Sequence, residues 1–213
     1  MKKVLAILTL SVVCSLRGAA QGETESFTVY KEFKPGLIHL ASGKTLKNSM
    51  LNIFLKDASL LYKSGSNTME ANMDNIVGVD FDDRKYVKIN KELAYLVDSV
   101  GANKLYCATL IDVEAYKTML KNNVNMSYIS ISDQVQYSTI DLNPQEKQPY
   151  PVINHFYYLY NGQIIKVHER EIQRLLNKEQ RRLFKTIIGE KDFSWVDEAS
   201  LVRLLKAITT NAQ

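Results

Sequence analysis

The sequence predicts an α+β protein in which an antiparallel β-meander is followed by a short C-terminal helical segment. Between Phe27 and Val167, short apolar stretches alternate with polar residues and break at turn residues, which is the period of strands. After Val167 the apolar residues recur every three or four positions, as on one face of a helix. The meander is expected to form a sheet or a partly open barrel or sandwich.

The predicted strands are short and are joined by tight turns. The pair Asn161-Gly162 is the strongest hairpin signal because both residues tolerate the positive φ of a two-residue turn. The segment 113–121 fits either a strand or one face of a short helix, and both interpretations stay open. Strands are predicted at 37–40, 50–55, 60–62, 76–81, 86–89, 94–97, 104–111, 128–131, 156–160 and 163–167.

Three short helices are predicted after the meander. The first carries Ile172, and the second ends before Gly189, a residue typical of helix C-terminal caps. Ser194 and Asp197 have the spacing of a capping box that opens the last helix. Helices this short cannot bury their apolar faces alone, so residues 168–213 are expected to pack on the β-rich domain, 21–167, as a cap or tail.

The first twenty residues have the three-part pattern of a secretory signal peptide. Lys2 and Lys3 precede an apolar run over 4–13, and the small residues 18–20 follow. Cleavage after Ala20 would release a chain into the periplasm, the outer membrane or the exterior. The rival is a lipoprotein anchored through Cys14, which is less favoured because valine occupies position 13.

Charge and cysteine content narrow the function classes further. The chain has 27 basic and 23 acidic residues, and three of the basic ones lie in the signal segment. The remaining chain is almost neutral overall, which argues against nucleic acid as a partner. No transmembrane helix is expected in the mature chain. Cys107 is then its single cysteine, and we interpret it as a buried apolar side chain rather than a reactive thiol.

Three tyrosines in one predicted strand are the candidate binding residues. Alternation places Tyr158 and Tyr160 on one face and Tyr157 on the other. Exposed rings would suit contact with a sugar or a protein. The alternative is that they pack within the sheet, where tyrosine is a favourable residue.

No pattern in the sequence predicts a catalytic centre, a metal or a cofactor. The carboxylates at 74, 80, 82 and 83 fit no calcium-loop spacing and are expected at a turn and on a wet strand face. A dyad of Cys107 with a histidine would need proximity that the sequence does not reveal. The basic stretch is interpreted as a solvated helix face rather than a membrane or nucleic-acid patch; it comprises Lys178, Arg181, Arg182 and Lys185.

The segments 36–40 through 60–63 and the hairpin with its helices over 158–208 resemble small secreted or cell-envelope proteins of Bacteroidota. The resemblance implies an envelope location and a non-catalytic role. We therefore expect an exported, non-enzymatic protein that binds a protein or glycan partner. The alternative is a secreted hydrolase or small-ligand-binding protein whose pocket is assembled from distant residues, and the oligomeric state stays open.

The export interpretation predicts that the protein recovered from its host begins at Gln21. The small residues at positions 18 and 20 fit the two places that signal peptidase recognises before the cut. N-terminal mass analysis of protein from envelope and cytosolic fractions measures this directly. An intact Met1 on cytosolic protein would contradict the interpretation.

Overall fold

A computed structural model of the protein describes residues 27–122 and 150–210. Within them lie ten strands and four α-helices. The strands are β1 Lys34–Leu40, β2 Thr45–Ile53, β3 Leu60–Ser64, β4 Asn67–Glu70, β5 Ile76–Asp80, β6 Lys85–Ile89, β7 Glu92–Val100, β8 Asn103–Ile111, β9 Val152–Tyr160 and β10 Gln163–Lys166. The helices are α1 Val113–Asn122, α2 Glu169–Leu175, α3 Lys178–Ile188 and α4 Glu198–Thr210.

All ten strands form one antiparallel sheet in the order β10-β9-β8-β7-β6-β5-β1-β2-β3-β4. Neighbours in this order are mostly neighbours in sequence, as in a meander; the exception is β1, which pairs with both β2 and β5. The helices follow β10 except for α1, which lies between β8 and β9. The predicted α+β class, a meander with a mainly C-terminal helical segment, is confirmed.

The sheet curves until its two halves meet. The turn after β2 reaches β7 and β8: Leu93 donates its backbone N–H to Ala58 at 2.9 Å, and Ile111 donates to Leu55 at 2.7 Å. Four strands separate β2 from β8 in the sheet, so this contact requires strong coiling. A first core fills the curve with apolar side chains from β1 to β9.

A second core lies between β8, β9 and the three C-terminal helices. Leu105 and Cys107 from β8 and Phe156 from β9 contact apolar residues of α2, α3 and α4. The neighbouring residue Tyr157 points to the first core instead. The second half of β9, residues 156–160, is therefore covered on both faces, which makes it the element that the two cores share.

Tyrosine hydroxyl groups orient α4 on the sheet. Tyr158 donates a hydrogen bond to the carbonyl of Leu201 at 2.7 Å, and Tyr160 donates to the carbonyl of Ile208 at 3.1 Å. The buried side chain of Gln180 donates to the hydroxyl of Tyr160 at 3.0 Å and to the carbonyl of Ile208 at 2.8 Å. These bonds join β9, α3 and α4 into one network in which the buried polar atoms are satisfied.

A buried asparagine fixes the chain that precedes β1. Asn52 accepts hydrogen bonds from the backbone N–H of Tyr30 and of Ile53, and it donates to the carbonyl of Tyr30 at 2.9 Å. Phe27 then packs against Tyr116 of α1, with ring centroids 5.5 Å apart. The start of the described chain is thus held against β2 and α1.

Several predicted boundaries need correction. The segment 113–121, for which a strand and a helix were both considered, forms the helix α1. The last helix begins at Glu198, and Asp197 is its N-terminal cap because its carboxylate accepts from the backbone N–H of Ser200 at 2.8 Å. The capping box predicted at Ser194 is therefore wrong by three residues. Strand β4 was not predicted, and the strand predicted at 128–131 lies outside the described residues.

Candidate functional site

The three tyrosines predicted as binding residues are buried. Tyr157 is 4%, Tyr158 0% and Tyr160 2% exposed, and their alternation between the two faces of β9 is as predicted. The rings therefore offer no exposed aromatic surface to a sugar or a protein. Their place in the structure matches the alternative, packing within the sheet.

Cys107 and the three histidines do not converge. Cys107 on β8 is the register partner of Phe156 on β9, and its side chain faces the helices. His155 directly precedes Phe156 in β9 and therefore faces the opposite side of the sheet. His39 lies in β1 beside Asp80, with Nε2 to carboxylate oxygen at 3.1 Å. His168 caps α2 by accepting from the backbone N–H of Arg170 at 3.3 Å. The structure thus separates the groups that a cysteine–histidine dyad would need.

His155 has instead a carboxylate partner that the sequence did not reveal. Its Nδ1 lies 3.0 Å from one carboxylate oxygen of Glu92, and the hydroxyl of Tyr157 donates to the other oxygen at 2.8 Å. Glu92 lies on β7 and His155 on β9, so the pair spans the intervening strand β8, in which Ala108 is the register partner of His155. No sequence spacing links residues 92 and 155, so only the sheet order could have predicted this pair.

The acidic turn between β5 and β6 forms contacts within the fold. Asp83 lies 3.4 Å from the ammonium of Lys34 and accepts from the hydroxyl of Tyr30 at 3.2 Å. The pKa of Asp83 is lowered because its backbone and Lys34 hydrogen bonds outweigh its desolvation, which acts in the opposite direction. Within 27–122 and 150–210, no three acidic, histidine or cysteine residues lie close enough to hold a metal ion.

Two surface grooves lie on the helical segment and are lined mainly by basic residues. We call this region the basic cap surface and define it by its six cationic residues. Helix α2 and the first two turns of α3 carry them, with the corner Leu176-Asn177 between the two helices. The residues are Arg170, Arg174, Lys178, Arg181, Arg182 and Lys185.

A capping box fixes the corner between the two helices. The side chain of Asn177 accepts from the backbone N–H of Gln180 at 2.9 Å, and the Gln180 side chain accepts from the backbone N–H of Asn177 at 2.9 Å. Because Gln180 also bonds into the second core, the start of α3 is anchored to β9 and α4. The exposed cations therefore stand on a fixed helix start rather than on a loop.

Two adjoining grooves lie on the basic cap surface. The larger has a volume of about 440 Å³ and is lined by the two corner residues and by α3. The smaller has a volume of about 280 Å³ and is lined mainly by α2. Arg181 lines both, and its Nε donates to the carbonyl of Gln173 at 3.1 Å, which fixes the guanidinium between the grooves.

Much of the positive charge is not neutralised by the protein. Arg174 pairs with Glu171 at 2.8 Å. Among the residues that the structure describes, Arg181 has no ion pair and donates to the carbonyl of Gln173 instead. The other four cations have no ion pair either; they are Arg170, Lys178, Arg182 and Lys185. The surface is exposed to solvent as the sequence predicted, and its arrangement in grooves suits anionic groups.

The α2 side of this surface was missed in the sequence. Arg170, Gln173 and Arg174 are spaced three and four positions apart, so they share one helical face. That spacing was a usable signal, but a contact between α2 and α3 depends on the sharp corner at Asn177, whose cap the hydrophobic pattern does not encode.

The described residues form a curved antiparallel sheet with a packed helical cap, and the cap carries a basic surface. Scans against protein-family models, curated proteins and solved structures found no match to this chain. None of the helices in the described part is both long and apolar enough to cross a bilayer.

Burial predicts that Cys107 is unreactive in the folded protein. Desolvation raises the pKa of its thiol from 9.0 to about 11, so little thiolate forms at pH 8. In the chain beginning at Gln21, Ellman's reagent should label the native protein far more slowly than the urea-unfolded protein. Because the folded pKa is the higher one, the contribution of Cys107 to stability should be complete below about pH 9 and lost as the pH rises toward about 11.

The matched control is Ser99→Cys, which places a second thiol on the exposed part of β7. Ellman's reagent should label that thiol quickly in the native protein. Equal labelling rates for Cys107 and for the introduced cysteine would contradict the burial argument.

Proposed function

We propose that this protein is an exported, non-enzymatic protein of the cell envelope that binds a protein or glycan partner through the basic cap surface. The observation that carries the proposal is the pair of adjoining grooves with their unpaired cations. A binding role also fits the scaffold, because the start of α3 is anchored in the second core and can present these side chains without reordering.

Charge complementarity supports an anionic partner. Arginine presents a planar set of donors that matches carboxylate and phosphate groups, and four of the six cations are arginines. Because the chain beyond the signal segment has little net charge, the attraction for an anionic partner is confined to the basic cap surface. The partner is therefore expected to carry its negative charge in a compact group.

The alternative is a secreted hydrolase, and one observation favours it. The imidazole of His155 is held by the carboxylate of Glu92, which is the orientation that a general base needs. Neither groove of the cap is lined by a histidine, however, and the thiol of Cys107 lies on the other face of the sheet. The binding role has the stronger support.

Capture from envelope fractions of the host tests the proposal with three forms of the protein. The wild type and a control with Lys44→Glu and Lys47→Glu should retain the same partner. A variant with Arg181→Glu and Lys185→Glu should lose it, since both pairs change the net charge equally but only the second lies in the grooves. Mass spectrometry and carbohydrate analysis identify the captured species.

Two results would overturn the proposal. One is capture of the same species by all three forms, which would place the binding face elsewhere. The other is the absence of any captured species together with turnover of ester, amide or glycoside substrates, with loss of that turnover in His155→Gln. Cytosolic protein with an intact Met1 would overturn the exported part alone.

A further inference from the structure

We propose that the basic cap surface binds a glycan that carries two phosphate groups, one in each groove. This inference rests on the proposed function and specifies the chemistry of its ligand. The relevant observations are the charge of the surface, the shared arginine, the residues that line the grooves and the groove volumes.

The charge of the surface matches two phosphates better than separate carboxylates. Five of the six cations have no ion pair within the described residues, and all of these except Arg170 line the larger groove: Lys178, Arg181, Arg182 and Lys185. A phosphate monoester carries about 1.5 to 2 negative charges near neutral pH, whereas a carboxylate carries one. Two phosphates carry about 3 to 4 negative charges and can therefore neutralise most of the unpaired cations within a small area, where about four carboxylates would be needed.

Arg181 gives the two grooves a common donor. Its Nε is already bound to the carbonyl of Gln173 at 3.1 Å, which leaves the terminal N–H groups for a ligand on either side. A guanidinium that is fixed by a hydrogen bond loses less conformational entropy when it binds an anion. The two phosphate groups would thus flank one pre-oriented arginine.

The lining residues favour a phosphorylated sugar over a protein segment or a neutral sugar. Leu176 is the only apolar residue among the described residues that line the two grooves, so a protein partner would find little to bury as an anchor. None of these described lining residues is aromatic, so they offer no stacking surface for an uncharged sugar ring. The Nδ2 of Asn177, whose Oδ1 caps α3, and the Oε1 of Gln173, whose Nε2 donates to Glu169, can bond sugar hydroxyls beside the phosphates.

The volumes are consistent with one phosphorylated group per groove. Small-molecule sites usually occupy about 300 to 1,000 Å³. The grooves measure about 440 Å³ and about 280 Å³ and are open to solvent, so the larger lies in the lower part of that range and the smaller just below it. A ligand with one anionic group would fill one groove and leave the other cations unpaired.

Isothermal titration calorimetry at low salt tests the inference with four probes: glucose 1,6-bisphosphate, glucose 6-phosphate, glucose and hexaglutamate. The bisphosphate should bind the wild type about tenfold or more tightly than the monophosphate, the change expected for one added set of charge-assisted hydrogen bonds. Glucose should not bind, and added salt should weaken the phosphate probes.

Variants in single grooves sharpen the test. Arg182→Gln in the larger groove and Arg170→Gln in the smaller groove should each reduce the bisphosphate affinity toward that of the monophosphate. Arg181→Gln should weaken both phosphate probes because it lines both grooves. Lys47→Gln, an exposed change on β2, should alter neither, and circular dichroism checks that each variant is folded.

Equal affinity for the two phosphate probes, no binding of either, or tighter binding of hexaglutamate would overturn the inference. If envelope capture still depends on Arg181 and Lys185 in that case, the proposed function stands and only the ligand class is wrong. If capture fails while the bisphosphate keeps its preference, the phosphate sites stand and the envelope-partner role is wrong.

Discussion

The burial of the second half of β9, residues 156–160, on both faces is the constraint on which the rest of this structure depends. Tyr157 closes the core inside the curved sheet, and Tyr158 and Tyr160 close the core beneath the helices. Each ring buries roughly 150 to 250 Å² at about 25 cal/mol per Å², which is several kcal/mol before the loss of conformational entropy. The two hydroxyl bonds to α4 contribute about 1 kcal/mol each. Apolar burial thus holds the cap on the sheet, and the hydroxyl groups select its orientation.

The orientation of the helical cap also determines where the basic cap surface lies. Helix α4 contacts β7 and β8, α3 packs on α4, and Gln180 links the start of α3 to Tyr160 and to the carbonyl of Ile208. Tyr160, which was a candidate for direct binding, therefore contributes indirectly: it fixes the helices that carry the exposed basic residues. A second tie comes from Tyr95 on β7, which donates to the carboxylate of Glu198 at 2.5 Å.

The sequence predicted what local periodicity encodes. The turn at Asn161-Gly162 is present with φ of 50° and 78°, and α3 ends at Ile188 with Gly189 as its C-terminal cap. Sheet curvature and the pairing of Glu92 with His155 could not be predicted, because they depend on strand order rather than on neighbours in sequence. The exposure of the tyrosines could not be predicted either. Alternation assigns residues to the two faces of a strand, but it does not show which face is covered by other elements. The spacing of the basic residues in α2 could have been recognised in the sequence. Their position beside α3 could not, because it depends on the corner at Asn177.

The central claim is that the cap and the sheet form one cooperative unit through β9. Trp195, the single tryptophan, packs against Phe184 in the cap, so its fluorescence reports the cap, and the amide I infrared band reports the sheet. In urea, both signals should change in one coincident transition, and Tyr158→Phe should lower both midpoints equally. Loss of the Trp195 signal at lower urea while the sheet band persists would show that the cap unfolds independently and would contradict the account.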